Sequence, residues 1–149
     1  MGMFDAFDIS ASALTAERMR MDVTAENLAN AQTTRTADGG PYRRKEVVLQ
    51  EVAQGGGFAG SLRTAMGAGS SERPGGVEVA GIAEDSTPNK MVYDPGHPDA
   101  NAQGYVAMPN VDSVTEMVDL ISASRAYEAN VTALQSAKTM FSKTLDLLR

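Results

Sequence analysis

The chain's only histidine, His97, lies in the run Asp94-Pro95-Gly96-His97-Pro98-Asp99, an imidazole between two carboxylates. Such a set offers a general base with an orienting acid, or part of a metal site. A hydrolytic metal site needs two or three convergent ligands, and the chain holds neither a second histidine nor any cysteine. A serine nucleophile fares no better, because no Gly-x-Ser-x-Gly elbow occurs. Set between two prolines among turn formers, His97 reads as a structural or interfacial residue. No catalytic, cofactor-binding or metal-binding residue is expected, and the chain reads as a non-enzyme.

Other chemistry-bearing residues are charged or amide groups. Arg43-Arg44-Lys45 forms a basic cluster beside Tyr42. It reads either as a solvated strand edge, where charge discourages unwanted pairing, or as a contact with the acidic face of a neighbouring subunit. Asn27 and Asn30 fall near the end of a helical stretch. They read either as C-terminal caps or as hydrogen-bonding partners of adjacent segments. Net charge is −6, which argues against nucleic acid as a partner, since phosphate binding needs a basic surface. No apolar run approaches the ~20 residues that span a bilayer. The acidic start, Met1-Gly-Met-Phe-Asp-Ala-Phe-Asp, lacks the basic and apolar regions of a cleaved leader.

The elements that must position these groups follow from the helix breakers. Apart from Gly2, every glycine and every proline lies between Gly39 and Pro109. Both ends are thus free of residues that interrupt helices. Residues 4–30 are expected to form one helix with a heptad seam at Phe4, Phe7, Ala11, Leu14, Arg18, Met21, Ala25 and Leu28. Residues 113–148 are expected to form a second, with Ser113 and Glu116 at capping-box spacing and Asp112 as a competing cap. Its seam runs through Met117, Leu120, Ser124, Tyr127, Val131, Leu134, Lys138, Phe141, Leu145 and Leu148. The charged members Arg18 and Lys138 would cost stability but select register or partner. Periodicity alone also permits a helical hairpin closed on itself. Apolar residues outside the seams, such as Ile9, Val118 and Ile121, favour burial completed by other subunits.

The fold class is therefore mainly α, with long terminal helices paired as a coiled coil around an irregular, partly β centre. The boundaries are residues 1–32, 33–111 and 112–149. Strand character is expected around Val47-Val48-Leu49 and again at Val77, Val79 and Ile82. The glycine-rich part at 55–76 is expected to be flexible, and 88–109 to be turns.

Several of these runs together resemble a known family. They are Phe7-Asp8-Ile9-Ser10, Asn27-Leu28-Ala29-Asn30-Ala31-Gln32-Thr33-Thr34, Tyr93-Asp94-Pro95-Gly96-His97-Pro98, Gly104-Tyr105-Val106, Pro109-Asn110-Val111 and Ser124-Arg125-Ala126-Tyr127-Glu128-Ala129-Asn130. The chain resembles the flagellar axial proteins, and within them the proximal rod subunits, over roughly 4–54 and 77–148. Asp99 to Gln103 departs from the Ala-Asp that tends to follow His-Pro there. The resemblance implies a structural subunit of the proximal rod of the bacterial flagellar basal body, in the periplasm, that transmits torque from motor to hook. It implies export without a cleaved leader through the flagellar type III apparatus. Its implied partners are other copies of itself, other proximal and distal rod proteins and the protein joining rod to MS ring. The assembly interface would use the seam residues with Asn27 and Asn30, and Arg43, Arg44, Lys45, Tyr93 and His97 as further subunit contacts. A soluble helical adaptor or export-associated binding protein is the alternative.

Overall fold

Each stretch free of glycine and proline becomes one continuous helix. The computed structural model describes residues 3–37, 39–52 and 75–147. Helix α1 spans Met3–Ala29 and helix α2 spans Ser113–Leu147. Their 27 and 35 residues give lengths of ~40 and ~52 Å. Between them lie strands β1 (Lys45–Glu51), β2 (Val77–Glu84), β3 (Lys90–Tyr93) and β4 (Tyr105–Met108). These form two separate antiparallel pairs, β1 with β2 and β3 with β4. The β1–β2 ladder shifts register between Val48 and Leu49, where Ala80 is left without an opposite residue.

Helix α1 is the middle layer. It packs against α2 on one side and against β1 and β2 on another. Strand β1 runs back along it: Lys45 meets Asn27 at one end, and Val77, opposite Glu51, meets Ser12 at the other. Seven strand residues and fifteen helical steps both cover ~23 Å, so ribbon and helix match in length. The β3–β4 hairpin packs on the loops rather than against either helix, with Val106, Pro109 and Val111 buried beneath it.

Two-sided packing revises the expected seam. On α1 the seven-residue series Phe7, Leu14, Met21 and Leu28 is half-buried, while its alternates Ala11, Arg18 and Ala25 are exposed. The enclosed positions are Ala16, Val23 and Asn27. A helix with neighbours on two sides buries a broad arc, not a narrow stripe. On α2 the series Leu120, Tyr127, Leu134 and Phe141 is half-buried. The enclosed positions, Glu116 and Ala123, lie one residue before the seam members Met117 and Ser124, whereas Met117 and Lys138 of the seam face out. Adjacent helical residues point ~100° apart, so turning Glu116 inward sends Met117 outward. Ser124 and Val131 are half-buried, and Leu145 is exposed. The side chain of Phe4, all of Leu148 and residues 55–74 of the glycine-rich part lie outside the described residues.

The N-cap of α2 is one of the two that the sequence offers. Asp112 caps α2: its Oδ1 accepts from Val114 N–H at 3.0 Å and its carbonyl accepts from Glu116 N–H at 2.9 Å. Glu116 does not close a capping box, because its carboxylate is engaged in the core. Helix α1 ends without a left-handed residue. Asn30 closes its last turn by donating Nδ2 to Glu26 O at 2.9 Å and accepting from Thr33 Oγ1 at 3.1 Å.

Gly76 marks the tightest approach of ribbon to helix. The hydroxyl of Ser12 accepts from Val77 N–H at 3.1 Å and donates to Ile9 O at 2.8 Å. A Cβ on Gly76 would lie 2.3 Å from that hydroxyl oxygen. Gly76→Ala should therefore destabilise the fold by about 1–3 kcal/mol, read from denaturant unfolding followed by circular dichroism. An unchanged midpoint would show that the ribbon is not seated on α1 at Ser12.

Candidate functional site

No helix among the described residues is long and apolar enough to cross a membrane. The chemistry that the sequence scatters along the chain converges at one point, where the end of α1, the start of β1 and the first turn of α2 meet. Asn27, 1% exposed, fills all four of its hydrogen-bonding positions there. Its Nδ2 donates to Lys45 O at 2.8 Å and to Glu116 Oε2 at 3.0 Å. Its Oδ1 accepts from Tyr42 O–H and from Lys45 N–H, both at 2.9 Å. Glu116, also 1% exposed, turns its other oxygen to Arg44 Nε at 2.6 Å. Arg44 reaches on to Asp119 at 3.4 Å, and its backbone N–H donates to Asn110 Oδ1 at 2.8 Å. Every buried side-chain polar atom among the described residues has a partner.

The charges agree with that geometry. The Glu116 bond, opposed by burial and aided by the carboxylate's charge, raises Arg44 above its ordinary value. The Glu26 bond at 2.6 Å raises Lys45, whose ammonium also lies 5.6 Å from the centre of the Tyr42 ring. Burial first, and the charge of Glu26 second, raise the Tyr42 phenol above 10.0. Its neutral form is the donor that Asn27 requires.

The structure bears on three of the sequence readings here. Asn27 is not a cap but a buried tie between segments. Arg44 and Lys45 are held by Glu116, Asp119 and Glu26 inside the chain, so only Arg43 of the basic cluster stands exposed without an ion pair among the described residues. His97 staples its own turn: its Nδ1 accepts from Asp99 N–H at 3.1 Å, and Asp99 accepts from Thr34 Oγ1 at 2.8 Å. Sequence reading missed that Asn27, Arg44 and Glu116 act together. The usable signal was an amide placed inside a helix, where Asn is a poor former unless its side chain is engaged.

Outside the clasp, apolar surface is left open in two places. On α2, Val114, Met117, Val118 and Ile121 follow i, i+3, i+4, i+7 spacing and are all exposed. On the hairpin, Met91, Val92, Tyr93 and Tyr105 are exposed, with the two tyrosine rings packed edge-on at 5.3 Å. A Cβ on Gly104, which has φ +79, would stand 2.9 Å from the Tyr93 ring, so only glycine serves beneath that pair.

Comparison with known proteins bears on what such surfaces do. A model described as "Flagella basal body rod protein" matches residues 7–35, and one described as "Flagellar basal body rod FlgEFG protein C-terminal" matches residues 102–147. The chain is 50% identical over 151 residues to the flagellar basal-body rod protein FlgC of Bacillus subtilis (strain 168), covering 99% of each. It is 48% identical over 147 residues to the same protein of Escherichia coli O6:H1, covering 99% of this chain and 98% of that one. It is 44% identical over 158 residues to that of Borreliella burgdorferi, covering 100% and 99%.

Asn27→Ala should cost about 3 kcal/mol or more, since it strands Tyr42, Lys45 and Glu116 groups in the interior. Glu116→Gln should cost about 2 kcal/mol, less than for a fully enclosed pair because Arg44 keeps 24% of its side chain open. Both are read from unfolding of the purified chain, and losses within a few tenths would remove the clasp as a stabilising unit.

Stability should also depend on alkali. Tyr42 and Lys45 have folded-state values raised above 10.0 and 10.5. Their contributions are complete below those figures and are lost as pH rises through the folded-state values. The melting temperature should fall above pH ~10, and Tyr42→Phe should make that fall shallower. An equally steep fall in Tyr42→Phe would mean that the phenol does not drive it.

Proposed function

The chain belongs to the family of flagellar basal-body rod proteins called FlgC, and on that premise we propose how its two helices and uncovered faces serve as rod parts. It is a structural subunit of the rod of the flagellar basal body and assembles with other rod components. Identity of 44–50% along nearly the full length of these relatives carries that conclusion. Those relatives are named for a structural part, which leaves the soluble-adaptor reading unfavoured and implies no enzymatic role.

The finer reading is our own. The terminal segments 1–32 and 112–149 act as one helical unit, paired as a coiled coil near the rod axis, and 33–111 forms an outer portion. Phe7, Leu14, Met21 and Leu28 face Leu120, Tyr127, Leu134 and Phe141 within the pair. Exposed or half-open Arg18, Met117, Val131, Lys138 and Leu145, with Arg43, Tyr93 and His97 outside the helices, meet neighbouring subunits. Neighbours are other copies, proximal and distal rod proteins and the junction to the MS ring. The half-open apolar faces support this, since they gain by being covered.

The subunit reaches the rod through the flagellar type III export apparatus as an unfolded thread. A chain without cysteine has no disulfide to undo on that route. The distal ends of both helices order on docking, at some loss of affinity that many repeated contacts recover. Dense helix packing then resists twist, as a torque-bearing shaft must.

Purified hook–basal bodies, stripped of hook and rings, should retain this chain at the motor-proximal end. Finding it only in the soluble fraction would overturn the rod reading. Leu134→Asp or Phe141→Asp sets a carboxylate on the pairing face, a cost of several kcal/mol when it is covered. Each should abolish rod assembly and swimming while the chain is still exported. Normal swimming would refute the seam.

A further inference from the structure

The two open apolar faces lie on different elements of one chain, and their shapes and charges correspond. Ile121 is 53% exposed at the C-terminal end of the α2 stripe, and Tyr93 is 65% exposed at the end of β3. The stripe from Val114 to Ile121 rises ~10 Å, and Met91 to Tyr93 covers ~7 Å of extended chain. Beyond Ile121, one turn on and on the same face, stands Arg125; beyond Tyr93 stands Asp94. Both are exposed, and neither has an ion pair among the described residues. A β3 strand laid along the stripe thus brings apolar residues onto apolar residues and a carboxylate toward a guanidinium.

Pairing one patch with its own copy about a two-fold axis would close a dimer and stop growth. Contact between unlike patches passes from copy to copy and makes a ring or a helical array, as a tubular rod requires. Exposed apolar patches on a single chain rarely exceed a few hundred Å², short of the ~800 Å² that a stable pairwise interface buries on each partner. Such a contact is weak between free chains and strong only where the lattice repeats it.

We propose that Met91 and Tyr93 of one copy, which share one face of β3, seat on Val114, Met117, Val118 and Ile121 of the next copy, with Asp94 meeting Arg125. This rests on the rod reading above. The β3 strand, exposed along all four residues and paired among the described residues only with β4, is free to enter such a contact.

Because the chain lacks cysteine, Tyr93→Cys and Ile121→Cys, both at open positions, provide a clean test. Basal bodies from a strain carrying both substitutions in one chain should yield, on mild oxidation, disulfide-linked dimers, trimers and longer ladders of this chain. Each single substitution should yield none. Dimers from a single substitution would show a two-fold contact and overturn the proposal, as would linkage to a different rod protein. Chain present in basal bodies without any ladder would sink this contact alone; absence from basal bodies would sink the rod reading itself. Independently, Asp94→Arg and Arg125→Asp should each impair swimming, and the two together should restore it. Failure of the reversed pair to restore swimming, with both variants exported at the normal level, counts against the contact.

Discussion

A buried amide with four partners on three segments constrains everything around it. Asn27 cannot move without stranding the phenol of Tyr42, both backbone groups of Lys45 and one oxygen of Glu116. Apolar contacts tolerate small slips, because attraction between surfaces has no direction. Hydrogen bonds of 2.8–3.0 Å do not. The amide therefore sets where β1 starts, how far α1 slides along α2 and which face α2 presents. Arg44 carries that constraint outward, since its backbone N–H holds Asn110, whose amide reaches the carbonyls of Asp85 and Thr87. A polar group enclosed in this way acts as a register device more than as a source of stability.

From that point the fold is shaped by α1 serving two neighbours. Small residues suit the role: Ala16 is among its most enclosed positions, and Ser12 with Gly76 lets the ribbon close on the backbone. The larger Phe7, Leu14, Met21 and Leu28 lie only half under cover. Enclosed volume is small as a result, and much apolar area stays at the surface. A subunit that assembles with others can cover such surface only with its neighbours.

How far this was legible in the sequence depends on the range of the signal. The exclusion of glycine and proline from both ends placed α1 and α2 to within a residue or two. The runs Val47-Val48-Leu49 and Val77 to Ile82 marked β1 and β2. Strands β3 and β4 were hidden, because four-residue strands amid Pro88, Asp94, Pro95, Gly96 and Pro98 look like turns. Every seventh residue of the heptad series is half-buried where described, whereas six of its eight described alternates are exposed, since periodicity cannot tell that α1 has two neighbours or that Glu116 must face inward. The clasp was illegible as a unit. Its members are separated by 72 and 89 positions, and each satisfied a local explanation: a basic cluster, a capping box, a helix end. Only the long-range pairing separates those explanations.

The unequal lengths of the helices have a mechanical meaning. Counting away from the contact of Asn27 with Glu116, α1 ends at Met3, opposite about Met140 of α2 by equal rise per residue. Lys143 to Asp146 therefore overhang, all exposed. Hairpins with flush ends would stack with their joints in shared planes, and a twisting load would concentrate there. Copies stacked end to end with such an overhang would not share their joints in one plane, as courses in bonded brickwork do not, and each plane of weakness would be bridged by a continuous helix.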